Sequence, residues 1–230
     1  MEDSQSLEEA LERNGITEKY GEFYPEQLKL LNDYVGMLWE WNERMNLTRH
    51  TTWDKFVSRD LVDTLELANL LEEGETVLDV GTGGGVPGIP LAILRPDLTV
   101  GLSESVVKKA RAVQGIVVEL GLEMTFFEGR AEAALQDYGF DTLFCRAVGP
   151  LWKILYWFEH EWNSIGRILA IKGPGWVDER AEARHKGLLR DLNLRKIVSY
   201  PLAGTESESV ILSITPKLAK WKKTVGKRGH

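Results

Sequence analysis

Apolar residues recur every three or four positions through the first third of the chain, and later gather into short unbroken runs. The first pattern is helical and the second marks buried strands. Residues 4–13 are expected to form a short amphipathic helix, with Leu7, Ala10 and Leu11 on one face. Pro25 suits the first turn of a longer helix carrying Leu28, Leu31, Val35, Leu38 and Met45. Another helix is expected over 53–71, with Phe56, Leu61, Leu65 and Leu67 inward. The pattern changes at Gly74. Strands are predicted at Thr76–Val80, Leu98–Leu102, Met124–Phe127, Phe140–Cys145, Arg167–Ile171, Ile197–Tyr200 and Val210–Ile214. Helices are predicted near 88–94, 106–120, 151–162 and 178–191, with only a loop at 128–132. Strands separated by helices imply a mostly parallel sheet covered on both faces. The last two strands have no helix between them and predict an antiparallel hairpin at one edge. The expected architecture is an α/β fold with a mostly parallel seven-stranded sheet. It divides into an N-terminal helical extension (1–73), a main domain (74–217) and a basic C-terminal tail (218–230).

Composition narrows the class. Hydrophobic residues make up 43% of 230, enough for a substantial core. No apolar run approaches the roughly 18 residues that span a bilayer, so no membrane partner is expected. Residues 1–10 are acidic and lack the basic start and apolar stretch of a secretory signal. The single cysteine, Cys145, excludes an internal disulfide framework and fits a reducing compartment. Its place in the apolar run Thr142-Leu143-Phe144-Cys145 reads as a buried core thiol. A cytoplasmic location is expected. The net charge of −7 argues against nucleic acid as a partner, but its distribution argues the other way. Residues 1–73 hold 17 acids and 7 bases, 74–217 hold 18 and 16, and 218–230 hold 5 bases and no acid.

The densest chemical signal is Leu78-Asp79-Val80-Gly81-Thr82-Gly83-Gly84-Gly85-Val86-Pro87-Gly88, between a predicted strand and a predicted helix. Glycines there permit positive φ and close backbone approach, and the helix start offers free N–H groups. Two ligands compete for such a turn. Gly83 to Gly88 satisfies G-x-G-x-x-G, a dinucleotide signature. Asp79-x-Gly81-x-Gly83-x-Gly85 satisfies the D-x-G-x-G-x-G turn of S-adenosylmethionine enzymes. Asp79 favours the second, since it can hold an ammonium and would repel a pyrophosphate. Glu104, at the end of the next strand, is placed to accept hydrogen bonds from ribose hydroxyls. The Glu128–Glu132 segment should flank an adenine ring. Arg146 and Lys172, at the ends of the fourth and fifth strands, bring two cations to the same edge.

These residues resemble the glucose-inhibited division protein B family, the small-subunit ribosomal RNA methyltransferase G enzymes. The resemblance runs from about Pro25 to Pro216. It is carried by Trp41-Asn42 with Asn46-Leu47-Thr48, by the glycine turn continuing into Ile89-Pro90-Leu91, by Arg130-Ala131-Glu132, by Phe140-Asp141 with Arg146-Ala147, and by Lys172-Gly173. It implies a Rossmann-like class I S-adenosylmethionine-dependent methyltransferase that modifies N7 of one guanine in the decoding region of 16S rRNA. The expected partner is 16S rRNA or the 30S subunit, and the protein is expected to be a monomer. Cofactor contacts are expected from Asp79, Gly81, Gly83, Gly85, Val86, Glu104, Ala131, Glu132 and Arg146. Arg146, and after it Lys172, are expected to orient the target. No general base and no metal are expected. A candidate RNA surface comprises Lys108, Lys109, Arg111, the segment with Arg180, Arg184, Lys186 and Arg190, and the tail. Among Trp152, Trp157, Trp162, Trp176 and Trp221, Trp176 is the one expected to stack on RNA. The chain departs from the family where Asp60 replaces a histidine in Arg59-Asp60-Leu61-Val62-Asp63-Thr64, at Glu206-Ser207-Glu208-Ser209, and after Glu104; these changes are expected to lower positive charge on the RNA face. The alternatives are a same-fold methyltransferase of a small molecule or protein, a dinucleotide oxidoreductase, and a non-catalytic ribosome-assembly factor.

Overall fold

The computed structural model describes residues 3–201 and 205–218. Trp221 and the tail after Leu218 lie outside the described residues. Helix α1 (Leu7–Arg13) starts at Ser6, whose hydroxyl accepts from the Glu9 N–H. Helices α2 (Ile16–Tyr20) and α3 (Pro25–Asn42) follow, the latter with Pro25 in its first turn. The predicted helix at 53–71 is more irregular than its apolar spacing suggests. A short α4 (Trp53–Lys55) passes through a π-helical turn at Phe56–Leu61 into α5 (Val62–Ala68). The wider turn rotates Asp60 inward, and its side chain is fully buried.

The remaining chain forms β1 (Thr76–Val80), α6 (Gly88–Leu94), β2 (Thr99–Glu104), α7 (Val107–Glu119), β3 (Thr125–Glu128), α8 (Ala131–Asp137), β4 (Phe140–Arg146), α9 (Leu151–Trp157), β5 (Ile165–Lys172), α10 (Trp176–His185), β6 (Leu192–Pro201) and β7 (Glu208–Pro216). The strands order as β3-β2-β1-β4-β5-β7-β6 in one sheet. The first five are parallel; β7 runs antiparallel to both β5 and β6. The terminal hairpin therefore lies at one edge, as its missing crossover helix implies. Helix α8 begins within the loop expected at 128–132 and runs on through residues given no predicted element: its buried stripe is just Ala131, Ala134 and Leu135, too short for a periodic signal. Strand β6 is longer than predicted, because as an edge strand it carries exposed Asn193, Arg195 and Lys196 and loses the apolar signature.

Side chains alternate across the sheet with period two. Val77, Phe144 and Leu169 face a core shared with α1, α3, α5, α6 and α7. Leu78, Leu143, Cys145 and Ala170 face α8, α9 and α10. The N-terminal helices thus share one core with the sheet. The carboxyl ends of β1 to β5 open on one edge, where ligands of such sheets bind. No helix among the described residues is long and apolar enough to cross a membrane.

Candidate active site

At that edge the chain leaves β1 through three glycines with positive φ: Gly81 (68°), Gly83 (60°) and Gly85 (99°). L-residues with a Cβ avoid that region, so the turn keeps bare backbone on its outer wall. Its shape is fixed from behind. Asp79 Oδ2 accepts from Thr82 Oγ1 at 2.8 Å and from the Gly88 N–H at 3.0 Å, joining both ends of the turn. Tyr34, on α3, donates its hydroxyl to the Gly84 carbonyl at 2.9 Å. Glu104 accepts from the N–H of Gly83 at 3.0 Å and of Val106 at 2.8 Å. Each oxygen keeps a further lone pair for a hydroxyl donor.

The turn walls one side of a cavity of about 520 Å³. Of the residues singled out in the sequence, Gly81, Gly83, Val86, Glu104, Ala131, Glu132 and Arg146 line it. Asp79, Gly85 and Lys172 do not. Asp79 is 1% exposed and lies behind the turn, where Thr82 and Gly88 take its Oδ2. It holds the shape of the turn from behind the cavity wall. Gly85 faces Ile89 and the Tyr34 hydroxyl. Lys172 points to the loop after β4: its Nζ donates to the Gly149 carbonyl and pairs with Glu179 at 2.7 Å. Glu179 in turn accepts from the Leu151 N–H at 2.8 Å. Lys172 therefore braces the strand exit and does not project into the cavity.

That exit is bent sharply. Ala147, directly after Arg146, has φ 57°, the only non-glycine among the described residues with positive φ. Such a conformation costs on the order of 1–2 kcal/mol and typically marks a functional wall. The bend brings Val148 against Gly81, where a Cβ would stand 2.7 Å from Val148 Cγ1. Beyond it, α9 places Lys153 and Trp157 on the cavity, with the Lys153 ammonium 5.4 Å from the Trp157 ring centre. Sequence reading favoured Trp176 for stacking. Trp176, the first residue of α10, is half-buried against the core with Arg180 over its ring at 5.1 Å and lies outside the cavity, whereas Trp157 lines it. A signal existed: Lys153 and Trp157 sit four residues apart on a helix that starts at a strand exit. Leu47, from the Asn46-Leu47-Thr48 segment, also lines the cavity; Asn42 Oδ1 holds that segment by accepting from the N–H groups of Leu47 and Thr48.

Arg146 is the most constrained of the lining residues. Its Nη1 donates to Asp60 Oδ1 at 2.6 Å and to Asp63 Oδ2 at 3.1 Å. His50 Nδ1 meets the same Asp60 oxygen at 2.8 Å, and Tyr200 donates its hydroxyl to Asp63 at 2.6 Å. Burial raises the Asp63 carboxyl pKa above the ordinary value, against the downward pull of Arg146. Burial, with Asp63 beside it, pushes the Tyr200 phenol up. Asp60, where relatives carry a histidine, is thus a fully buried interior partner of Arg146 rather than a surface charge. Cys145, one residue earlier, is a core thiol pushed up to about 12 by burial.

Burial also pushes the Asp79 carboxyl up to about 7, against its hydrogen bonds from Thr82 and Gly88. The unfolded carboxyl ionises near 3.8, so between about pH 4 and 7 the unfolded chain sheds a proton that the fold retains. That residue's contribution to stability falls as pH rises through this window. Asp79→Asn should therefore be more stable relative to the parent at pH 7.5 than at pH 4.5. Urea midpoints of both proteins at the two pH values read the difference, and equal offsets at both would refute it.

Comparison with known proteins agrees with this geometry. Residues 27–204 match the family GidB, described as rRNA small subunit methyltransferase G. The chain is similar to the ribosomal RNA small subunit methyltransferase G of Rhodopirellula baltica, 51% identical over 83% of this chain and 78% of the relative. It is also similar to that of Chromobacterium violaceum, 37% identical over 70% of this chain and 78% of the relative. In fold it resembles the O-methyltransferase from Bacillus cereus solved with SAH, with a TM-score of 0.58 at 14% identity, covering 88% of this chain and 96% of that one. A mutant of MtNAS solved with S-adenosylmethionine superposes with a TM-score of 0.55 at 17% identity, covering 92% and 84%. The architecture is the Rossmann-like class I methyltransferase fold, and with its glycine turn, its cavity and its relatives the chain belongs to the GidB family of rRNA small subunit methyltransferase G enzymes.

Proposed function

We propose that this rRNA methyltransferase methylates N7 of one guanine in the decoding region of 16S rRNA. It acts as a cytoplasmic monomer on the RNA, free or within the 30S subunit. One observation carries the reading: a single cavity joins a glycine-and-carboxylate wall suited to a nucleoside cofactor with an aromatic and cationic wall suited to a nucleotide. The residues fit S-adenosylmethionine. Gly81, Gly83 and Val86 offer bare backbone and a small apolar side chain. Glu104 has lone pairs for ribose hydroxyls, and Ala131 and Glu132 flank the adenine position. Asp79 and Gly85 serve indirectly, by holding the turn. When bound, that cofactor supplies a methyl group already activated on a sulfonium.

Guanine N7 attacks with a lone pair and releases no proton from that nitrogen, so no general base is required. The protein's task is orientation, which can supply several kcal/mol of the barrier. Trp157 offers a ring face to a base, and Lys153 a cation to a phosphate. Arg146 Nε and Nη2 bond none of the described residues. They are available to an acceptor such as guanine O6, which adjoins N7. Lys172 orients the target only through the 147–151 loop. The test is mass mapping of 7-methylguanosine in 16S rRNA from cells with and without the protein. One N7-methylated guanine should disappear with the protein; an unchanged map, or loss of a different modification, would refute the assignment.

A further inference from the structure

The edge of the sheet opposite the cofactor cavity carries a second feature that methyl transfer does not use. Strand β5 ends at the cofactor edge and α10 runs back from it, so Arg184 and His185 arrive at the amino-terminal edge of the sheet. Gly187, at φ 79°, then reverses the chain toward β6. Between the end of α10, this turn, the start of β6 and the end of β7 lies a cleft of about 540 Å³. Its lining holds four cations, Arg180, Arg184, Arg190 and Lys217, together with His185, and no carboxylate. The cleft is built, not a chance grouping of surface side chains. Lys217 is tied to the turn by its Nζ on the Arg190 carbonyl and its N–H on the Asp191 carbonyl at 2.9 Å. Leu189, Leu192 and Leu194 form its floor.

Among the described residues, no carboxylate lies within ion-pair distance of Arg180, Arg184 or Arg190. Arg184, Arg190 and Lys217 are exposed. Converging cations in a chain of net charge −7 call for an anion, and guanidinium forks match phosphate oxygens. The thirteen residues after Lys217 add five bases and no acid, so the sequence extends the basic run from this cleft. Strand β5 has eight residues, which separates the cleft from the methyl-transfer cavity by on the order of 25 Å. No group bound here reaches the reacting base.

We propose that this cleft is a phosphate-docking exosite that grips the backbone of the substrate rRNA away from the target nucleotide. The proposal rests on rRNA being the substrate and not on the choice of guanine N7. It is tested in the full-length protein by Arg184→Ala with Arg190→Ala, both exposed changes, with unaltered thermal unfolding as the check on folding. Binding to 16S rRNA is followed across a salt series, steady-state methylation of 30S subunits or rRNA gives kcat and KM, and calorimetry with S-adenosylhomocysteine reads the cofactor cavity. Losing two phosphate contacts should weaken RNA binding roughly tenfold and reduce the log–log salt slope by about 1.5. KM should rise with kcat and S-adenosylhomocysteine affinity unchanged, and Arg184→Lys with Arg190→Lys should recover most of the binding. Unchanged RNA affinity and salt slope would overturn the exosite, as would a loss confined to kcat. RNA binding is read independently of which nucleotide is modified, so a wrong N7 assignment leaves this test intact.

Discussion

Replacing Arg146 with alanine is expected to cost about 3–5 kcal/mol of stability. The reason lies behind the cavity wall. Among the described residues, Arg146 is the one permanent cation bonded to both buried carboxylates, Asp60 and Asp63. Asp60 is fully buried, and its Oδ2 has no hydrogen-bond partner among the described residues, so without Arg146 only His50 remains on its Oδ1. Removing the guanidinium leaves buried negative charge without its counterion. An ion pair of this kind adds little net stability when intact, yet breaking one side is expensive because the remaining charge stays desolvated. The deficit should shrink in acid, as protonation discharges Asp63, whose pKa burial raises. Combining Arg146→Ala with Asp60→Asn should recover part of the loss by removing one of the stranded charges. Urea unfolding of the three variants at neutral and acid pH measures this. A neutral-pH loss below about 1 kcal/mol, the scale of an exposed pair, would show that Arg146 does not neutralise the cluster.

The second large effect is expected at Gly88, the first residue of α6. Local propensity favours alanine over glycine in a helix by up to about 1 kcal/mol, and Gly88 has an ordinary φ that alanine accepts. Packing reverses the sign. A Cβ there would collide with Leu102 Cδ2 and stand 2.7 Å from Asp79 Oδ2 and 3.1 Å from Asp79 Cβ. Leu102 is fully buried and Asp79 nearly so, and neither can retreat into solvent. Overpacking of this kind costs about 1–3 kcal/mol. The strain is relieved most directly by moving Asp79 or α6, which also moves the turn that presents Gly81 and Gly83. Gly88→Ala should therefore lose S-adenosylhomocysteine binding along with stability. Gly115→Ala is the control: it lies within α7, exposed and with open space around it, and should gain about 0.5–1 kcal/mol without changing binding. If Gly88→Ala matched Gly115→Ala in both thermal unfolding and calorimetry, close approach at the turn would not be what requires glycine.

Read alone, the chain already contained the alternation of strands and helices, the edge hairpin, the glycine turn and most of the cavity lining. Those features are encoded by neighbours in sequence. Period-two and period-3.6 burial, glycine at positive φ and a carboxylate at a strand end are local consequences of backbone geometry. Gly81, Gly83, Val86, Glu104, Ala131, Glu132 and Arg146 could be found because each sits where a strand leaves the sheet. What lies behind the wall was decided only by packing. Arg146 meets Asp60 and Asp63 across 86 and 83 residues, and Asp63 meets Tyr200 across 137. No periodicity encodes those meetings, since the inward turn of Asp60 depends on a local π-helical widening and on the face of the sheet that α5 covers. Asp79 had the motif of a ligand contact, and burial made it a brace; Lys172 had the position of one, and Glu179 with Gly149 drew it into the loop. Charge along the sequence shows how much of each sign is present, but which cations converge on one cleft depends on where the helices and strands turn back in space.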